Sequence, residues 1–134
     1  MTSQSVYLGN LRTESVHLLS GNTIITDAPV DNHGKGEAFS PTDLVATALG
    51  NCMMTLMGIY ANREGLELTG TRISVKKVMA ENPRRIAEIH IQFDFPETLT
   101  PTEHQREMLI QTARTCPVIK SLHPDIKEIS SFNF

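Results

Sequence analysis

Two cysteines are the residues of this sequence best suited to chemistry, and each stands in a distinctive context. Cys52 lies within a long apolar segment, and Cys116 directly precedes Pro117. No Cys-x-x-Cys motif is present, so the sequence does not predict a thioredoxin-type pair. A cysteine inside an apolar helix is often only a small core residue. A cysteine before a helix-initiating proline has an N-cap-like position, where unpaired N–H groups and the helix dipole favour a thiolate.

Such a distant pair of thiols suits peroxide reduction if the two side chains meet in the fold. One thiolate attacks the O–O bond and becomes a sulfenic acid. The second thiol then condenses with it to a disulfide, which an external reductant must reopen. The attacking sulfur has to ionise, and burial in an apolar helix disfavours that.

A cation is therefore needed near Cys52, and the sequence offers arginines for this role. Arg12, just after the first predicted turn, is the first candidate. Arg84 and Arg85, beside a later turn, are others, and each could also be a plain surface residue. Asp43 could hold such an arginine in place, although helix capping also explains an aspartate there.

The composition argues against several other functions. The chain has 134 residues, with 12 Lys and Arg against 15 Asp and Glu and a net charge of −3. Neither sign of charge is clustered, so no nucleic-acid interface is predicted. The five histidines lack the close Cys/His pairing of zinc sites, so no metal is predicted. The length suits a single domain over residues 1–134.

The N-terminal residues lack a basic segment followed by an apolar one, so we expect no signal peptide and a cytoplasmic location. Cysteines in that reducing compartment are more often free or catalytic than structural. The longest apolar tract, Leu44 to Ala61, contains polar residues and two glycines. It therefore predicts a buried helix and not a membrane span.

The first third of the chain is predicted to form β-strands. Val6 to Gly9, Ser15 to Leu19 and Thr23 to Thr26 are short β-prone runs separated by turn-forming residues. An antiparallel meander is the simplest arrangement, and a loop follows it.

A long helix is the strongest local prediction. Ser40 can be its N-cap, with Pro41 at the first helical position and Asp43 closing a capping box. The helix should run to about Arg63 and stop at Gly65. Because it is apolar nearly all round, it must be covered on most sides, and we expect part of that cover to come from a second subunit.

The rest of the chain alternates strands and helices. Arg72 to Ala80 and the alternating run that ends at Phe95 predict a β-hairpin with Asn82-Pro83 at its turn. A second helix is expected to start at Thr100, with Glu103 completing a T-x-x-E capping box, and to end near Arg114. A short helical turn after Cys116 and a final strand within 126–134 give the order β-β-β-α-β-β-α-α-β. Strands and helices in blocks indicate an α+β fold.

Three sequence motifs together resemble the OsmC/Ohr family. They are Ser-Pro-Thr-Asp-Leu at 40–44, Ala-Leu-Gly-Asn-Cys at 48–52 and Cys-Pro-Val at 116–118. The segment Asn-Pro-Arg-Arg at 82–85, followed by an alternating strand, is similar too. Each motif is weak alone, and the specificity lies in their combination and spacing.

The resemblance implies an OsmC-like fold, with antiparallel sheets around a long buried central helix in an intertwined homodimer. It also implies an enzyme that reduces organic hydroperoxides with thiols in oxidative-stress defence. Cys52 would be the peroxidatic residue and Cys116 the resolving one. No cofactor is implied, and an external dithiol would regenerate the enzyme.

One position departs from the best-known members of this family. They carry a glutamate directly after the helix-start proline, paired with an arginine from the N-terminal region. Here Thr42 takes that place and the acid follows as Asp43, about 100° further around a helix. This departure keeps an alternative open, namely a non-catalytic dimer of the same fold that binds a small apolar or thiol ligand or senses redox state.

Overall fold

The structure is a computed structural model that describes every residue from Met1 to Phe134. By their internal contacts, the residues form two compact units, Met1–Val45 and Ala46–Phe134. The prediction of one domain over 1–134 stays a prediction. The element order is the predicted β-β-β-α-β-β-α-α-β, with one short 3-10 turn at Val30–Asn32, and the fold is the predicted α+β type.

The N-terminal unit contains an antiparallel three-stranded sheet in the order β1-β2-β3. Its strands are β1 (Ser3–Gly9), β2 (Arg12–His17) and β3 (Thr23–Asp27). Gly9 and Asn10 turn the chain between β1 and β2 with positive φ angles, which glycine and asparagine adopt at low cost. The predicted meander is therefore confirmed, and Arg12 falls directly opposite Asp27 in the β2–β3 register.

The long helix α1 spans Pro41–Glu64. Its start is the predicted capping box, because Oγ of Ser40 accepts from the Asp43 N–H at 3.1 Å and Oδ2 of Asp43 accepts from the Ser40 N–H at 2.9 Å. Gly65 follows the last helical residue with φ +69°, as expected for a helix stop. Helix α1 is long enough to cross a membrane, and its most apolar 18-residue stretch has a mean hydropathy of 1.5. The core helices of soluble proteins meet the same two criteria.

The C-terminal unit contains a second three-stranded sheet, formed by β4 (Arg72–Ala80), β5 (Arg85–Asp94) and β6 (Lys127–Asn133). β4 and β5 form the predicted antiparallel hairpin, but β6 runs parallel to β5. The second sheet is therefore mixed, and the prediction that both sheets are antiparallel is wrong for the β5–β6 pair. The reason is the connection: α2 (Glu103–Ala113) and α3 (Pro117–Ser121) carry the chain back to the end where β5 began, and such a crossover joins parallel strands.

The core lies between α1, the second sheet and α2. Leu49, Met53 and Met57 of α1 are fully buried, and they recur every fourth residue on one face of the helix. Gly50 brings α1 close to the sheet, since a Cβ there would lie 3.1 Å from methyl groups of both Ile73 and Val75. This packing fixes the height and rotation of α1 on the sheet.

Helix α2 begins two residues later than predicted. Its N-cap is Thr102, whose Oγ1 accepts from the Gln105 N–H at 3.2 Å, while Oε1 of Gln105 accepts from the Thr102 N–H at 2.9 Å. Thr100 lies outside the helix. Two overlapping T-x-x-[E/Q] patterns occur here, and the second one is used.

Replacing Thr102 with alanine should therefore destabilise the protein by about 1 kcal/mol, because an orphan N–H of the first helical turn loses its acceptor. Thr100→Ala is the matched control and should change the free energy of unfolding little. Urea unfolding of the two variants checks this. Equal effects, or a larger one at Thr100, would contradict the observed cap.

Candidate active site

Cys52 lies in the middle of α1, on the flank of its buried face. The preceding residue, Asn51, is exposed, and the following one, Met53, is fully buried. Cys52 itself is half-buried and is a free thiol. The residue is therefore neither fully enclosed in the core nor freely exposed.

Cys116 occupies the N-cap of α3, as its position before Pro117 predicts. Its backbone is extended, with φ −63° and ψ 140°, and its Sγ accepts from the Ile119 N–H at 3.3 Å. Unlike Cys52, it is fully buried. The sulfur takes the role that a serine or threonine oxygen usually plays at such a cap.

The expectation that this position favours a thiolate does not hold. Burial is the largest effect and raises the pKa of Cys116 above its ordinary value, outweighing the Ile119 N–H, which acts in the opposite direction. The neighbouring Cys52 raises the pKa of Cys116 further. Desolvation thus outweighs the helix terminus, and Cys116 is held as a neutral thiol.

The same interactions show that the fold brings the two cysteines together. Cys52 lies close enough to Cys116 to raise the pKa of its thiol, and Cys52 packs against the core cluster that contains Cys116. They are 64 positions apart in the sequence, so only the packing of α1 and α3 in one core creates this pair. A half-buried sulfur beside a buried, neutral thiol is an arrangement that can cycle between dithiol and disulfide.

Arg12 is fixed by carboxylates within the N-terminal unit. Its Nε and Nη2 donate to Oδ1 and Oδ2 of Asp27 at 2.7 and 2.8 Å, a bidentate pair, and Nη2 also donates to Oε2 of Glu37 at 2.8 Å. The Asp27 side chain is 1% exposed and accepts a further bond from the Glu37 N–H. Paired hydrogen bonds of this kind hold a guanidinium in one orientation.

The Arg12 guanidinium lowers the pKa of Asp27, mainly through the bidentate hydrogen bonds. In return, Asp27 and then Glu37 raise the pKa of Arg12. Asp27 is therefore ionised at any pH at which the protein is expected to work.

The sequence analysis names Asp43 as the acidic partner of Arg12 and does not identify Asp27 or Glu37. Asp43 instead makes the reciprocal capping contacts with Ser40. Asp27 could have been found from the strand register, because continuing the pairing of Val16 with Thr23 by four residues reaches Arg12 and Asp27. Glu37 lies in an irregular loop, where no periodic signal exists.

Residues 34–129 match the family model for OsmC-like protein. This range is well over half of the chain and contains both cysteines. The chain belongs to the OsmC-like family. No curated protein sequence matches it significantly.

Solved structures of other OsmC-like proteins share the fold. A Psychrobacter arcticus 273-4 protein whose name assigns it to the osmotic stress and detoxification response is 50% identical, with 99% of this chain and 96% of that one covered and a TM-score of 0.95. An organic hydroperoxide resistance protein from Legionella pneumophila is 14% identical, with 100% and 98% covered and a TM-score of 0.76. An organic hydroperoxide resistance protein from Elizabethkingia anophelis, solved with thiocyanate bound, is 14% identical, with 99% and 96% covered and a TM-score of 0.70.

The lowered pKa of Asp27 predicts that its contribution to the free energy of unfolding depends on pH. A carboxylate whose folded pKa lies below its unfolded value stabilises the fold fully above the unfolded pKa and loses this contribution as the pH falls through the folded pKa. Asp27→Asn should therefore be clearly less stable than the parent at pH 7. The gap should shrink below the ordinary aspartate pKa of 3.8.

Urea unfolding of both proteins from pH 7 downward measures this gap. Glu37→Gln is the control, because its side chain is 64% exposed and an exposed ion pair contributes little. A gap between parent and Asp27→Asn that stays constant down to acid pH would show that the ion pair is not its source.

Proposed function

We propose that this OsmC-like protein is a thiol-dependent peroxidase that reduces organic hydroperoxides in the cytoplasm as a defence against oxidative stress. The observation that carries the proposal is the pairing of half-buried Cys52 with buried Cys116. Membership of the OsmC-like family, whose structural neighbours include organic hydroperoxide resistance proteins, supports the substrate class.

The proposed cycle has three steps. The Cys52 thiolate attacks the terminal oxygen of ROOH, the O–O bond breaks, and the alkoxide leaves and takes a proton as ROH, so that Cys52 becomes a sulfenic acid. The Cys116 thiol then attacks this sulfur, forms the disulfide and expels water. An external dithiol reopens the disulfide by two exchange reactions and is itself oxidised to a disulfide.

The unequal environments support the division of roles. Peroxide can approach Cys52, which is half-buried, more easily than Cys116, which is fully buried. The raised pKa of Cys116 keeps it protonated, so it does not compete as a nucleophile before Cys52 has been oxidised. Burial also protects Cys116 from direct overoxidation.

Arg12 is the proposed cation that favours the Cys52 thiolate, with Asp43 as a lesser supporting residue. Support comes from the orientation of Arg12, which Asp27 and Glu37 fix without using its Nη1. A guanidinium held in place before the reaction stabilises an anion more effectively than a mobile one.

We also propose that the functional form is a homodimer. Only 33% of the most apolar 18-residue stretch of α1 is buried within the chain. Val45 and Ile59 of this helix are 39% and 45% exposed, and an apolar face of this extent favours cover by a second copy. A sulfur separation far beyond disulfide reach would favour the alternative, a non-catalytic binding protein, whereas the effect of Cys52 on the pKa of Cys116 indicates that the two cysteines lie near each other.

Peroxide treatment of the reduced protein tests the proposed activity. Cumene hydroperoxide and, more slowly, hydrogen peroxide should consume both thiols faster than they consume free cysteine at the same pH. Cys52→Ser should abolish the loss of the remaining thiol, because Cys116 is buried and protonated. Thiol titration over time is the measurement, and a rate no faster than that of free cysteine would refute the peroxidase proposal.

Cys116→Ser separates the two roles. Serine keeps an acceptor for the Ile119 N–H, so the α3 cap should survive. Cys52 should still be oxidised by peroxide, but without an intramolecular disulfide it should accumulate as overoxidised sulfinic acid or as a mixed disulfide. Mass spectrometry distinguishes these products. Cys52 that stays reduced under excess peroxide would show that the assigned roles are wrong.

A further inference from the structure

The outer face of the second sheet carries a cavity of about 320 Å³ that is open to solvent. The inner face packs on α1, where Ile73, Val75 and Ile91 lie beside Gly50. Because side chains of a strand alternate between the two faces, the neighbours of these residues in β4 and β5 point away from the core. The cavity is lined by two rows that cross β4, β5 and β6, namely Lys76, His90 and Ile129, and Ser74, Gln92 and Ser131.

Two other cations of this outer face have acidic neighbours in the strand register. Arg72 of β4 lies opposite Asp94 of β5. Lys127 of β6 is paired in the same way with Glu88 of β5. Opposite charges placed across neighbouring strands attract each other, so at these two positions the sheet supplies its own counter-charge.

Lys76 has no such acidic neighbour in the register. It lies opposite His90, and that imidazole is already hydrogen-bonded through Nε2 to Oε2 of Glu88 at 2.7 Å. The Lys76 side chain is exposed and forms no ion pair. Its ammonium group therefore has three N–H donors without a fixed partner, in a cavity that also contains the exposed serines Ser74 and Ser131.

These groups determine the chemistry of a ligand that would fit. One ammonium group with hydroxyl donors nearby complements a single negative charge. Glu88 and Asp94 flank the cavity along β5 and oppose a second negative charge, so a carboxylate suits it better than a phosphate dianion. Ile129 is 44% exposed and lies two strands from Lys76, about 10 Å away. It offers a contact for an apolar body of similar length.

We propose that this cavity binds small carboxylates that carry a short apolar body, with the carboxylate on Nζ of Lys76 and the body against Ile129. The site lies across the sheet from the core cluster that contains Cys116. Binding is therefore separate from the thiol chemistry and does not depend on the proposed peroxidase activity.

The experiment is an amide NMR titration of the reduced protein with 4-methylpentanoate, without peroxide and at low ionic strength. Two probes separate the contributions to binding, because 4-methylpentanamide lacks the charge and acetate lacks the apolar body. Each should bind about fivefold more weakly, as expected for the loss of one exposed ion pair or of one partly buried alkyl group. Inorganic phosphate should bind no more tightly than 4-methylpentanoate.

Two variants test the assigned contacts. Lys76→Gln should weaken the binding of 4-methylpentanoate and of acetate alike by about fivefold, whereas Ile129→Thr should weaken only that of 4-methylpentanoate. Lys120→Gln, on the exposed surface of α3, has the same loss of net charge and should bind like the parent. Shifts should centre on Lys76, His90 and Ile129. Equal affinity in Lys76→Gln and the parent, tighter binding of phosphate, or shifts centred on other residues would overturn the proposal.

Discussion

The packing of α1 against the second sheet is the constraint on which the rest of the structure depends. Leu49, Met53 and Met57 place one face of the helix in the core, and Gly50 permits a close approach to β4. Burial of such side chains stabilises the fold by about 1.5–3 kcal/mol each. Once this face is fixed, Cys52 has only one position, on the flank between core and exterior. The Cys52 sulfur is thus placed by hydrophobic packing and not by polar contacts of its own.

Desolvation and the helix N-terminus have opposite effects on the pKa of the Cys116 thiol, and the balance between them decides its protonation state. The Ile119 N–H at 3.3 Å favours the anion of Cys116, but one hydrogen bond to sulfur is weaker than the effect of complete burial. The sequence reveals the cap, through Cys116-Pro117, but not the burial, which arises from packing in the hydrophobic core. This is why the local motif alone predicts the wrong protonation preference.

Local signals made most of the fold predictable, and the failures share a cause. The α1 capping box, the stop at Gly65 and the alternating strand β5 are set by neighbouring residues, so their positions were confirmed. The direction of β6 depends on the path of α2 and α3, which no periodicity encodes. Two T-x-x-[E/Q] patterns overlap at Thr100 and Thr102, and only the tertiary path of the chain selects between them. The pairing of Cys52 with Cys116 is likewise a product of tertiary packing.

The contacts of Arg12 change how the threonine at position 42, where the best-known family members carry a glutamate, bears on function. A threonine in place of the glutamate would matter if it left the arginine without an acidic partner. Here Asp27, from the strand opposite Arg12, and Glu37, from the loop before α1, accept three hydrogen bonds from the guanidinium. What an oriented guanidinium needs is a carboxylate in the right place, whichever element provides it. The loss of the glutamate at the helix start is therefore not an argument against thiol chemistry in this chain.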